Sequence, residues 1–225
     1  MYRYFIIYKP YLVLSQFTTS LHKKTLADFY DLPKNIYPVG RLDEDSEGLL
    51  ILTNDGALNN RLLHPSFAHE REYWVQVDGD ITDEALQQLQ NGVEINTDGE
   101  MYCTRPCVAK RFLEEPHVPY RNPPIRFRKN KPAPWIQMIL HEGKNRQVRK
   151  MTAKVGFPTL RLIRYRISGI ESGTLKPGAA SQLRRLFSMS GACGKRDCRS
   201  RSVTLMWLRV YCSEASRSGW KSQGK

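Results

Sequence analysis

Hydrophobic and polar positions change their period several times along the chain, and each change marks an element. Tyr4 to Tyr8 mixes aromatic and β-branched residues and predicts a strand stopped by Lys9-Pro10. Thr25 to Tyr30 predicts a short helix that ends near Pro33. Gly48 to Thr53 is a continuous apolar run of buried-strand length. Asn54-Asp55-Gly56 signals a turn, and Ala57 to Leu63 then predicts a helix closed by His64-Pro65. Tyr73 to Val77 predicts a strand. Thr82 is placed to cap a helix over residues 83–90, with Asn91-Gly92 as its stop. Residues 93–113 predict short strands around the turn at Asn96-Thr97-Asp98-Gly99. Six prolines between 114 and 134 exclude regular structure there, so a long loop is expected. Trp135 to Leu140 predicts a strand. Asn145 then caps a helix to about Val155, with Val148, Met151 and Val155 on its buried face and Gly156 as its end. Residues 159–167 predict the last strand. Strands outnumber helices, and hairpin-like turns join many of them. This predicts an α+β fold with a mainly antiparallel sheet.

After Leu183 the pattern dissolves into Ser, Arg and Gly without sustained periodicity. The expected organisation is one domain over residues 1–187 and a basic, disordered tail over 188–225. The tail changes the reading of the charge. The net charge is +13 over 225 residues, a surplus that points to a polyanionic partner such as nucleic acid. Residues 189–225 supply +6 of it, from eight Lys/Arg against two Asp/Glu. The +7 of the body carries more weight, and much of it lies in residues 144–166. No apolar run reaches 18 residues, so no membrane span is expected. The N-terminal stretch lacks a small-residue cleavage site and reads as a strand, not a signal peptide. The five Cys show no zinc-knuckle spacing and no His cluster to complete a site, so free thiols in a reducing, cytoplasmic setting are expected. No recognition-helix pattern or dimer signal is visible, which argues against a DNA-binding regulator and for a monomer.

Three segments carry candidate chemistry. In Gly40-Arg41-Leu42-Asp43-Glu44-Asp45-Ser46-Glu47, acidic groups sit on a loop entering a buried strand. Such an Asp is usually a turn residue, but a rigid strand below a polar loop is also where sites form. In Glu142-Gly143-Lys144-Asn145-Arg146-Gln147-Val148-Arg149-Lys150-Met151, a tight turn opens a helix whose first turns carry four cations. They are a solvated face or a phosphate-binding one. In His69-Glu70-Arg71-Glu72-Tyr73-Trp74-Val75, Tyr73 is a core aromatic or a stacking surface for an unpaired base.

Together these segments resemble the motifs of the RsuA/RluB/RluE/RluF family of pseudouridine synthases. Gly40 to Gly56 is similar to the motif that carries the catalytic aspartate. Glu142 to Met151 is similar to the later motif Glu-Gly-[Lys/Arg]-Asn-[Arg/His]-Gln-Val-Arg-[Arg/Lys]-Met. Gly156-Phe157-Pro158-Thr159-Leu160-Arg161-Leu162-Ile163-Arg164 resembles the strand that follows, and Tyr8-Lys9-Pro10 the family's start. The similarity spans about residues 4–183, without the family's N-terminal S4 RNA-binding domain. It implies the pseudouridine synthase fold, with two subdomains flanking a catalytic cleft. It also implies isomerisation of a uridine in ribosomal RNA, most specifically large-subunit (23S) rRNA, free or in a pre-ribosomal particle. The reaction needs no metal or cofactor. By the same resemblance Asp43 is the catalytic residue, acting on the sugar as nucleophile or base. Arg149 is the cation that pairs with Asp43, Tyr73 stacks on the target base, and Leu162 lines the pocket. Arg41, Lys144, Arg146 and Gln147 contact the RNA, helped by Lys150 and the basic loop at 121–131. A non-catalytic RNA-binding protein on the same scaffold would need no acid at position 43.

Overall fold

The computed structural model describes residues 1–126, 131–185 and 207–209. Strand β1 (Tyr4–Lys9) leads into two short paired strands, β2 (Val13–Leu14) and β3 (Lys24–Thr25). The helix predicted from Thr25 is a single 3-10 turn, Leu26–Asp28. The Asp28 carboxylate accepts from the Thr25 N–H and hydroxyl, closing the turn instead of extending it. Strand β4 (Tyr37–Pro38) and the loop carrying Asp43 precede β5 (Glu47–Thr53), all seven residues of which are buried. Helix α1 (Gly56–Leu63) starts where Asp55 accepts from the Leu58 N–H. Strand β6 (Arg71–Val77) and helix α2 (Asp83–Asn91) follow, the latter capped by Thr82 as expected. A hairpin of β7 (Glu94–Thr97) and β8 (Glu100–Cys103) precedes β9 (Val108–Arg111) and β10 (Trp135–Leu140).

Helix α3 (Gln147–Lys154) begins later than predicted. Its cap is Arg146 in the left-handed region, φ 53°, and not Asn145, whose amide donates to Asp98 Oδ1. Nor is β11 (Thr159–Ile167) the last strand. β12 (Ile170–Glu171), β13 (Ala180–Arg185) and β14 (Trp207–Arg209) come after it. β14 lies in the segment expected to be a free tail, and it pairs with β13. The rest of that segment, with Arg128 and Lys129 of the basic loop, lies outside the described residues.

One mixed sheet runs β14-β13-β1-β5-β11-β6-β10-β9, with β4 on β5 and β12 on β11. All its pairings are antiparallel except β5 with β11. β5 is apolar on both faces because both are covered. Leu49 and Ile51 join the core of Tyr4, Ile6, Leu58 and Ile163, while Leu50 and Leu52 pack with Ile7, Leu26 and Ile36. Burying each such side chain stabilises by roughly 1.5–3 kcal/mol, which fixes the strand that anchors the Asp43 loop. A third core, with Val75, Leu89, Ile136, Met151 and Leu162, holds α2 and α3 against the other half of the sheet.

The two halves meet along the parallel β5–β11 edge, where Gly48 stands beside Arg164. Gly48 has φ +106°, and a Cβ there would lie 2.4 Å from the Arg164 carbonyl oxygen. Only glycine permits that approach. One residue earlier, Glu47 takes both Arg161 Nε and Nη2 at 2.8 Å in a buried bidentate pair.

Candidate active site

The loop bearing Asp43 is clamped from the segment after β1. Ser15 Oγ donates to the Leu42 carbonyl at 2.7 Å and accepts from the Leu42 N–H at 3.0 Å. The Leu12 N–H donates to the Glu44 carbonyl at 2.9 Å, and the buried Lys9 ammonium reaches the same oxygen at 3.3 Å. Residues on both sides of Asp43 are therefore held by backbone-directed bonds. The Asp43 carbonyl accepts from the Ser46 N–H, closing a tight turn. The Asp43 side chain is left about one-third exposed.

Cations from the start of α3 face this turn, and their pairing differs from the expected one. Among the described residues the ion pair at Asp43 is with Arg146, whose Nη1 lies 3.7 Å from Oδ2. Arg149 instead donates to the Asp45 carbonyl at 2.6 Å and lies 3.4 Å from the Asp45 carboxylate. Arg146 also grips Asp45 bidentately, at 3.0 and 2.7 Å. Burial alone would raise the Asp45 carboxyl, but the Arg146 hydrogen bonds and the Arg149 charge outweigh it and hold it below its ordinary value. The Arg149 guanidinium is pulled below its ordinary value by burial, partly offset by Asp45. The left-handed Arg146 backbone turns its side chain toward the acidic loop.

Gln147 lines the cleft but is only 4% exposed. Its amide oxygen accepts from the Lys144 N–H and its amide nitrogen donates to Glu142. Glu142 also accepts from the Tyr102 hydroxyl and the Arg105 N–H. Gln147 thus ties the basic turn to Glu142.

Around Asp43 lies a cleft of about 730 Å³. It gathers Arg41, Asp43, Tyr73, Lys144, Arg146, Gln147 and Leu162, but not Arg149. Tyr73 on β6 and Leu162 on β11 give it an aromatic and an apolar surface. Lys144 stands at the rim with its Nζ 4.7 Å from the Tyr102 ring centroid. A larger hollow of about 2120 Å³, lined by residues of 10–38, Glu44, Glu47, and residues of 120–123 and 174–181, contains neither Asp43 nor Tyr73. Asp43, Tyr73, Lys144 and Arg146, the acid, aromatic and cations singled out from the sequence, converge in the smaller one, an arrangement suited to chemistry on a planar ligand with an anionic backbone.

Several cleft groups escaped the sequence reading. Arg71, Arg105, His141 and Arg164 also line it. Arg164 had a visible signal, as one of three arginines alternating with apolar residues in the strand of residues 159–167. The role of Ser15 had none, because its partner is 27 residues away.

The chain is similar to known proteins. A family profile described as RNA pseudouridylate synthase matches residues 3–154. A protein of Vibrio parahaemolyticus named ribosomal large subunit pseudouridine synthase E is 49% identical over 173 residues, covering 77% of this chain and 70% of the relative. A protein of the same name from Xanthomonas campestris pv. campestris is 48% identical over 175 residues, covering 77% and 91%. Among solved structures, one described as the crystal structure of pseudouridylate synthase superimposes with a TM-score of 0.65 at 23% identity, over 81% of this chain and 70% of that one. This last likeness speaks to the fold.

Proposed function

The chain belongs to the RNA pseudouridylate synthase family, and from that premise we propose that it isomerises a specific uridine of large-subunit ribosomal RNA with Asp43 as its catalytic residue. The observation that carries this is the convergence of Asp43, Tyr73 and Leu162 in one cleft with cations at its rim.

The reaction breaks the N1–C1′ bond, turns the uracil and joins C5 to C1′, with the C5 proton lost and N1 protonated. No net oxidation occurs. The target base must first leave its stack, at a cost of a few kcal/mol that is smallest in loops and bulges. The Tyr73 ring offers a stacking face that offsets part of that cost, and Leu162 gives the base an apolar floor. Asp43 faces the ribose as nucleophile or base. The Arg146 guanidinium lies 3.7 Å from its carboxylate. Arg149 holds the loop through Asp45. Lys144, Arg41 and the exposed edge of Arg146 meet the phosphates on either side. The substrate is free rRNA or a pre-ribosomal particle in the cytoplasm.

Pseudouridine mapping of rRNA tests this. Cells lacking the protein should lose one pseudouridine from large-subunit rRNA and regain it on re-expression. An unchanged map would overturn the assignment.

A further inference from the structure

A buried cation normally has an anion. Arg161 has Glu47 at 2.8 Å. Arg164 is 5% exposed and has no carboxylate within 4 Å among the described residues. Its Nε donates to the Leu49 carbonyl at 2.9 Å, and its Nη2 is buried without a hydrogen-bond partner. An unpaired guanidinium N–H in such a place costs stability, so packing alone does not account for the residue.

Its position does. On β11, Arg164 pairs in register with Gly48 of β5 on one side and Tyr73 of β6 on the other. The missing Gly48 side chain lets the Arg164 backbone lie against β5, five residues beyond Asp43. Arg164 therefore bridges the strand that carries the catalytic loop and the strand that carries the stacking aromatic, and all three residues Asp43, Tyr73 and Arg164 line the same cleft. Burial lowers its guanidinium below the ordinary value, while the nearby Tyr73 hydroxyl and Asp43 favour the charged form.

We propose that Arg164 is a positioning residue for the isomerisation, holding the Tyr73 side chain at the wall of the Asp43 cleft from a guanidinium anchored to Leu49. This rests on the assignment of Asp43 and Tyr73 made above. The rigid fork of a guanidinium can serve the Leu49 carbonyl and the Tyr73 hydroxyl at once, whereas a lysine ammonium is a single point and cannot span both.

A double-mutant cycle decides it. Single-turnover isomerisation of an rRNA fragment and its binding affinity are measured for wild type, Arg164→Lys, Tyr73→Phe and the double variant. Arg164→Lys should slow isomerisation about tenfold and leave RNA affinity within about twofold. In the Tyr73→Phe background it should add less than about a twofold loss, because the hydroxyl it serves is already gone. Multiplying losses, or a wild-type rate for Arg164→Lys, would overturn the proposal. If Arg164→Lys does not fold, side-chain NMR of Arg164 replaces it: guanidinium rotation should speed up in Tyr73→Phe relative to wild type, and an unchanged signal would overturn the idea. Asp43→Asn is the control. Its activity would remove the active-site assignment itself, whereas an inactive Asp43→Asn beside a fully active Arg164→Lys removes the Arg164 role alone.

Discussion

At Asp43 a single carboxylate depends on neighbours that do not touch the ligand. Ser15 makes two buried hydrogen bonds to the backbone of Leu42. Ser15→Ala leaves an N–H and a C=O without partners, a cost of about 1–3 kcal/mol. It should lower the melting temperature and slow isomerisation while leaving RNA affinity unchanged; loss of affinity with an intact rate would contradict the clamp. Asp45 makes the pH dependence explicit. Its carboxyl is held below its ordinary value of 3.8, so its contribution to stability is complete above that pH and is lost as pH falls below it. Acid unfolding of Asp45→Asn should be shallower in that range than that of wild type. Equal acid profiles would show that Arg146 and Arg149 gain nothing from the pair. The sequence motif identified the acids and the cations but not their pairing. Arg149 and Arg146 lie three residues apart at a helix start, and a left-handed Arg146 decides which one meets Asp43.

Elements were legible where local pattern and burial agree. β5 is readable because both its faces are covered, so its apolar run is unbroken. α2 is readable because Thr82 and Gly92 punctuate it. β13 was missed because Ala180 to Arg185 carries little alternation and becomes a strand through pairing with β1, about 175 residues earlier. The seam between β5 and β11 was equally invisible, since parallel neighbours share no turn. It yields a firm expectation. In Gly48→Ala the new Cβ meets the Arg164 carbonyl, and the positive φ is strained as well. Loss of several kcal/mol is expected, read as a large drop in melting temperature or an insoluble protein. A Gly48→Ala protein as stable as wild type would mean that the two strands are not this close.

For the whole molecule, charge is the least specific clue and the most measurable. RNA affinity should fall as salt rises, in proportion to the phosphates neutralised. Lys144→Ala should weaken binding to all RNA fragments alike and flatten the salt dependence by about one charge, with little effect on the rate of bound substrate. An unaltered slope would place the RNA elsewhere on the surface. The central claim remains that the cleft performs chemistry at Asp43. The direct measurement is tritium release from unmodified large-subunit rRNA labelled at uridine C5, comparing wild type with Asp43→Asn. Wild type should release tritium and Asp43→Asn should release none while binding the RNA as tightly; release by Asp43→Asn at the wild-type rate would contradict the account.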